Sequence, residues 1–344
     1  MVNSGVVNRQ WLLARRPDGA VEQTDFRYHE ASIPLLHEGD VLVRTLYFGY
    51  DASQRLWMTE DGGYMTAIHL GEPMKTIGIG QVIDSRDPRY TIGAWVEGLM
   101  AWEDYSIVRA DTPIPLRTLR LGDYPETWNL SALGTAGLAA YFGLTDLLEI
   151  NGSDVVVVSA ASGATGSMAG GISKALGAKK VIGIASGSDK CRWLVEKAGF
   201  DAAIDYRKES VADALDIHCP AGVTAYFDNV GGETLDSLFL KMAPQGRVLI
   251  SGAISSGYGS LKVRGPENFM EICTKMLTVK GLHLMHYRDR MIEGVERLTR
   301  LLKEKEVHVE EDIHFGFDRA PELLTTLYTG KRPGKLILKV SDPL

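Results

Sequence analysis

Cysteine is scarce in this chain of 344 residues: Cys191, Cys219 and Cys273 stand far apart, and none falls within residues 1–130. Three thiols at wide spacing build neither a disulfide framework nor a zinc-ligand pattern, and they suit a reducing compartment. No apolar run approaches the roughly 20 residues that span a bilayer. Residues 1–16 lack the charged-then-apolar layout of a signal peptide. Basic residues do not dominate either. The 37 Lys and Arg are outnumbered by 44 Asp and Glu, a formal charge of −7 that leaves no footprint for nucleic acid or an anionic membrane. Internal repeats and low-complexity tracts are also missing. These absences predict a soluble, cytoplasmic protein with neither nucleic acid nor membrane as partner.

What the chain does have is organised around residues 154–166. Four consecutive valines, Val155 to Val158, read as a strand buried on both faces, as in a parallel sheet. A turn of small residues follows, through Ala160, Gly163, Ala164, Thr165 and Gly166. Met168, Ile172, Ala175 and Leu176 then recur at helical spacing, with Gly177 placed to stop the helix. Strand, glycine turn and helix form the context in which a helix N-terminus receives a dinucleotide pyrophosphate. The pattern A-x-x-G-x-x-G is weak by itself, and its place in the chain strengthens it. Upstream, residues 1–126 read as short β-rich runs punctuated by Gly, Pro and Asp, which suggests a barrel or sandwich. Downstream, strands at residues 180–185, 202–205, 223–228, 247–250 and 277–282 alternate with helices at 189–198, 210–217, 233–242, 267–276 and 289–303. That alternation predicts a doubly wound parallel sheet. The expected domains are 1–126, 127–308 and a return to the first at 309–344, whose strand at 335–340 completes the β domain.

The chain resembles the zinc-independent medium-chain dehydrogenase/reductases. It is most similar to the alkenal and enone double-bond reductases, the group of the prostaglandin/leukotriene and curcumin reductases. The likeness runs almost the whole length. It rests on residues 134–143 and 160–166, on Phe227-Asp228-Asn229-Val230-Gly231-Gly232-Glu233, on Gly252-Ala253-Ile254-Ser255 and on Trp102-Glu103-Asp104-Tyr105. It implies a Rossmann domain plus a GroES-like β-barrel domain, a homodimer, and NADPH-dependent hydride transfer to the β-carbon of an enone or enal. A quinone is the alternative substrate on the same scaffold, and an NADPH-binding protein without catalysis the alternative outside enzymes. Zinc relatives in the superfamily need a Cys and a Gly-His-Glu in the β domain, where this chain has no cysteine and reads Thr76-Ile77-Gly78-Ile79-Gly80; no metal is expected.

For the cofactor, the second strand ends without a carboxylate at its tip. Ser186, Ser188, Lys190 and Arg192 suit a 2′-phosphate instead. The resemblance adds Tyr206 to Lys190 in that role, and it turns Asn229, with Gly252, Ala253 and Ile254, toward the nicotinamide. The substrate side departs from the family. Its Asp-Pro-Tyr-Met-Arg is Asp51-Ala52-Ser53-Gln54-Arg55 here, its later Ile-Ser-x-Tyr becomes Ile254-Ser255-Ser256-Gly257-Tyr258, and Ala139 replaces a threonine. Candidate hydrogen-bond donors to a developing enolate are therefore Tyr258, Tyr64, Tyr50 and Ser53, with Trp57, Met58 and Met65 as an apolar wall.

Overall fold

The computed structural model describes residues 6–122, 124–257, 259, 263–305, 307–330 and 332–344. The N-terminal part opens with β1 (Val7–Leu13) and β2 (Phe26–Ser32), an antiparallel pair. Then come β3 (Val41–Gly49), the single-turn helix α1 (Gln54–Trp57), β4 (Lys75–Ser85), β5 (Trp95–Ala101), β6 (Tyr105–Val108) and β7 (Arg117–Thr118). β3 reads VLVRTLYFG, β-branched and aromatic almost throughout, and every residue except Arg44 is buried. It is the hub of the β domain, pairing antiparallel with β4 and β6.

The chain then builds the parallel domain. Its strands are β8 (Val155–Val158), β9 (Lys180–Ala185), β10 (Ala202–Asp205), β11 (Val223–Asp228), β12 (Met242–Ile250) and β13 (Thr278–Gly281). They lie in the order β10-β9-β8-β11-β12-β13, and every pairing is parallel. The helices are α2 (Thr135–Phe142), α3 (Ala164–Ala175), α4 (Ser188–Glu196), α5 (Val211–His218), α6 (Gly232–Lys241), α7 (Glu271–Thr274) and α8 (Met291–Lys305). One apolar cluster joins Phe142, Ile172 and Leu298 to the sheet, and a separate one joins Leu215, Leu238 and Phe239 to it. The sheet is thus covered on both faces, which explains the all-apolar run of valines.

The tail supplies β14 (Glu311–Phe315), α9 (Ala320–Thr329) and β15 (Lys335–Lys339). β15 pairs antiparallel with β3, so the last strand lies in the first sheet. Trp102 seals this assembly, its ring 5.2 Å from Phe26, 6.3 Å from Phe48 and 5.7 Å from Tyr50. The expected combination of a Rossmann domain with an antiparallel β domain is what the chain forms. Element ends differ in places. The expected strand at 247–250 begins at Met242, because pairing with Val223 extends it through an irregularity at Pro244-Gln245-Gly246 that reads locally as a turn. The expected helix at 267–276 contracts to the single turn of α7. Among the described residues no helix is long and apolar enough to cross a membrane.

Candidate active site

In the parallel sheet the chain runs outward through β9 and β10, then returns to place β11 on the other side of β8. The carboxyl ends of β8 and β11 therefore flank the switch point at which such sheets bind ligands. Ala160 sits there at φ 46°, a left-handed turn that swings the chain into α3. Gly163 precedes the helix in extended conformation, with no side chain capping it. The first amides of α3, from Ala164, Thr165 and Gly166, are thus available to an anion. A Cβ on Gly166 would lie 2.3 Å from the Ala160 carbonyl oxygen and 2.8 Å from the Ala161 Cα. Only glycine lets the helix close onto the turn, and the cradle fits a pyrophosphate. Gly166→Ala should cost roughly 1–3 kcal/mol of stability. It should also weaken dinucleotide binding, both readable from thermal melts with and without cofactor; an unchanged melt and affinity would reject the close approach.

Asp228, fully buried at the end of β11, clips the switch point together. Its Oδ1 accepts from Tyr226 Oη at 2.7 Å, Ser159 Oγ at 3.0 Å, Val230 N at 2.9 Å and Gly231 N at 3.0 Å. Burial and this carboxylate push the Tyr226 phenol well above its ordinary pKa, so it stays a donor. Asn229 is held on both sides: its backbone amide donates to Ser159 Oγ at 2.9 Å and its Nδ2 to the Ser159 carbonyl at 2.8 Å. Ile254 N donates to the Asn229 carbonyl at 3.2 Å, which lays Gly252, Ala253 and Ile254 along the Asn229 turn. These candidates come together at one strand end. The network of Ser159, Tyr226 and Asp228 beneath them escaped the sequence reading, although Asp228 stands inside the quoted motif.

At the end of β9, Lys190 Nζ lies 3.4 Å from Ser186 Oγ. Lys208 Nζ reaches Ser188 Oγ at 2.5 Å. Burial, and then the nearby Arg207, lower the Lys190 pKa. Three cations and two hydroxyls thus converge from the loops after β9 and β10, a setting for a dianionic phosphate. Tyr206, 51% exposed, stands between them at the strand end. Asp205 supplies the carboxylate of this region, but its Oδ1 is occupied by Gly187 N at 2.8 Å and Arg207 N at 3.2 Å. Arg192 does not join the cluster: it pairs with Asp189 at 3.4 Å along the exposed face of α4. Arg207 and Lys208 were missed because they follow the third strand.

The tail joins this region to the β domain. Gly334 N donates to the Ser162 carbonyl at 2.9 Å. The next residue, Lys335, is 1% exposed and donates from Nζ to Asp51 Oδ1 at 2.6 Å. Two residues beyond Asp51 is Ser53, at the start of α1. The Tyr64 ring is 46% exposed and meets His283 edge-on, 4.9 Å between centroids at 80°. His283 follows β13, so Tyr64 touches the carboxyl edge of the parallel sheet from the β domain. Burial pushes the Tyr64 pKa up and Asp51 adds to this, while Ser53 and Trp57 partly offset both. The phenol is therefore protonated at neutral pH and can donate. His283 carries no motif and was not read from the sequence.

Two candidates are corrected. Tyr50 is 1% exposed in the core around Trp102, and its hydroxyl donates to the Ala320 carbonyl at 3.1 Å, so it is a packing residue with its donor spent. Met58 is likewise fully buried in that core and forms no wall of a cleft. Tyr258 lies outside the described residues. Among those described, no three His, Cys, Asp or Glu converge where a metal ion could be held.

A glycine turn shaped for a dinucleotide pyrophosphate at a switch point, with a second, β domain packed at the same sheet edge, is the arrangement of a dinucleotide-dependent oxidoreductase. Residues 9–116 match the N-terminal domain of oxidoreductase, and residues 164–300 match the zinc-binding dehydrogenase domain. The chain is 32% identical over 341 residues to the NADPH-dependent curcumin reductase of Escherichia coli, covering 97% of each. It is 32% identical over 342 residues to the 2-alkenal reductase (NADP(+)-dependent) of Nicotiana tabacum, covering 98% of each. Among solved structures, that of CurA in complex with NADPH from Vibrio vulnificus superposes with a TM-score of 0.88 at 31% identity, over 97% of this chain and 100% of that one. The chain belongs to the medium-chain dehydrogenase/reductase family, in its zinc-independent branch.

Proposed function

We propose that the protein is an NADPH-dependent double-bond reductase acting on α,β-unsaturated ketones or aldehydes. The observation that carries the reading is the pairing of the Lys190, Arg207 and Lys208 cluster with the protonated Tyr64 at the same carboxyl edge of the sheet. The cluster would hold the 2′-phosphate, with Ser186 and Tyr206 beside it. The amides of Ala164, Thr165 and Gly166 would take the pyrophosphate, Ala160 and Gly163 shaping the turn. Asn229, Gly252, Ala253 and Ile254 would border the nicotinamide. NADPH, when bound, supplies the hydride. The chain's own task is to place the acceptor's β-carbon against it and to stabilise the oxygen that becomes negative as the β C–H bond forms. Tyr64 donates its hydroxyl hydrogen bond to that enolate oxygen, and a proton added at the α-carbon completes a two-electron reduction of C=C. Tyr258 is the second candidate donor. A second copy of the chain would pair along β13, which carries exposed Val279 and follows exposed Met276.

NADPH oxidation followed with an enone, an enal, a saturated aldehyde and a quinone tests this reading. Turnover with the enone or enal and a saturated carbonyl product is expected; turnover with the quinone alone would move the protein to the alternative substrate. Lys190→Ala removes one charge-assisted contact of about 1.5–3 kcal/mol. It should raise KM for NADPH about 10- to 100-fold and that for NADH less than 3-fold. Equal effects on both cofactors would show that Lys190 does not read the 2′-phosphate.

A further inference from the structure

Trp57 closes the single turn of α1, and its position is set from several directions. Gln54 holds the turn, accepting from Asp51 N at 2.9 Å and donating from Nε2 to the Lys75 carbonyl at 2.8 Å. Arg55 donates to the Pro17 carbonyl at 2.9 Å, and Ile68 N donates to the Trp57 carbonyl at 2.9 Å. The Trp57 ring is 5% exposed and packs in the core around Trp102. Its Nε1, however, is buried and finds no hydrogen-bond acceptor among the described residues. An orphaned buried N–H costs about 1–3 kcal/mol, so its persistence calls for a reason. The turn that carries Tyr64 lies against α1: Gly62 N donates to Thr59 Oγ1 at 3.1 Å, and a Cβ on Gly63 would lie 3.4 Å from Leu56 Cβ, beside Trp57. The indole and Ser53 both act on the Tyr64 phenol. Tyr64 lies on a separate loop, just after Gly62 and Gly63 at φ 68° and 67°, and is steadied on its outer side by His283.

We propose that Trp57 is a positioning residue for the reaction: its indole N–H donates to the Tyr64 phenol oxygen when substrate is bound, aiming the phenol O–H at the acceptor's oxygen. An indole N–H can only donate, so it leaves Tyr64's own hydrogen free for the substrate. Ser53, which can donate or accept, cannot impose that direction. Contacts of this kind are commonly loose without substrate and tighten in the Michaelis complex. The inference rests on Tyr64 being the donor in the proposed function, and extends it to the residue that orients the donor.

The test is a double-mutant cycle on the full-length protein with NADPH and an enone that the wild type reduces. Trp57→Phe keeps an aromatic ring but removes the N–H. It should lower kcat about 10-fold, with KM and NADPH affinity within about 2-fold. In a Tyr64→Phe background the same change should alter kcat less than 2-fold, because the group it serves is gone. Equal losses in both backgrounds would make Trp57 a packing residue only, and no loss in either would also overturn the proposal. Tyr64→Phe with wild-type turnover would overturn it while leaving the double-bond reductase reading intact; failure of the wild type to reduce any enone or enal would instead remove that reading. Should Trp57→Phe fail to fold, a benzothiophene analogue of tryptophan at position 57 keeps the shape without the donor and runs the same cycle.

Discussion

Asp51→Asn is expected to destabilise the protein by about 3–5 kcal/mol, the usual cost of leaving one member of a buried ion pair without its partner. Lys335 is 1% exposed and its ammonium donates to Asp51 at 2.6 Å. A neutral amide still accepts a hydrogen bond but leaves the buried ammonium only the more distant Glu311 carboxylate to balance its charge. The reverse change should cost less. The Asp51 side chain is 24% exposed, so after Lys335→Met its carboxylate can turn to water. The ordering Asp51→Asn worse than Lys335→Met, with the double variant recovering part of the loss, is the signature of a charge effect. At about 2 °C of melting temperature per kcal/mol for a chain of this size, the single asparagine should melt roughly 6–10 °C early. Calorimetry checks it; equal melting of the two single variants would mean that the pair is not what holds this junction. The junction matters because Gly334, one residue before, bonds the Ser162 carbonyl in the phosphate turn. One short segment thereby fixes the β domain that carries Ser53 and Tyr64 against the turn that would hold the cofactor.

How much of this was legible beforehand follows from the distance over which each signal acts. The valine strand, the glycine turn and the βα alternation are local patterns, and most become elements close to their expected bounds. The helix expected at 267–276 shrinks to the single turn of α7, and the strand expected at 247–250 starts five residues early. The return of residues 335–340 to the first sheet was also readable, from a lone apolar strand following the last helix. Asp228's network was not: Ser159 and Asp228 are 69 positions apart, and only the parallel pairing of β8 with β11 brings them together. Arg207 and Lys208 join Lys190 for the same reason, through the pairing of β9 with β10. Tyr50 was misjudged because one β-rich stretch places polar-tipped aromatics on both of its faces. Tyr50 turns to the core, where the Ala320 carbonyl, 270 positions away, takes its hydroxyl. No local pattern separates that tyrosine from Tyr64, which a pair of glycines carries out to the cleft edge.

Tyr64→Phe should lower kcat about 10²-fold, the effect of removing one preorganised donor to a developing oxyanion. The ring remains, so its edge contact with His283 is kept and KM should move little. NADPH affinity should also hold, since every residue assigned to the cofactor lies on the parallel-sheet domain. A loss confined to kcat marks an interaction made in the transition state rather than the ground state. The pH dependence has a defined sign. The donor is active when protonated, and burial with Asp51's charge raises its pKa. Tyr64 should therefore impose no decline through neutral pH, and any alkaline limb belonging to it must lie above the ordinary tyrosine value of about 10. Tyr258→Phe is the matched comparison, because Tyr258 is the remaining tyrosine candidate from the sequence once Tyr50 is committed to the core. If Tyr64→Phe keeps wild-type turnover while Tyr258→Phe loses it, the donor is Tyr258, and Tyr64 acts only as a ring packed across the cleft.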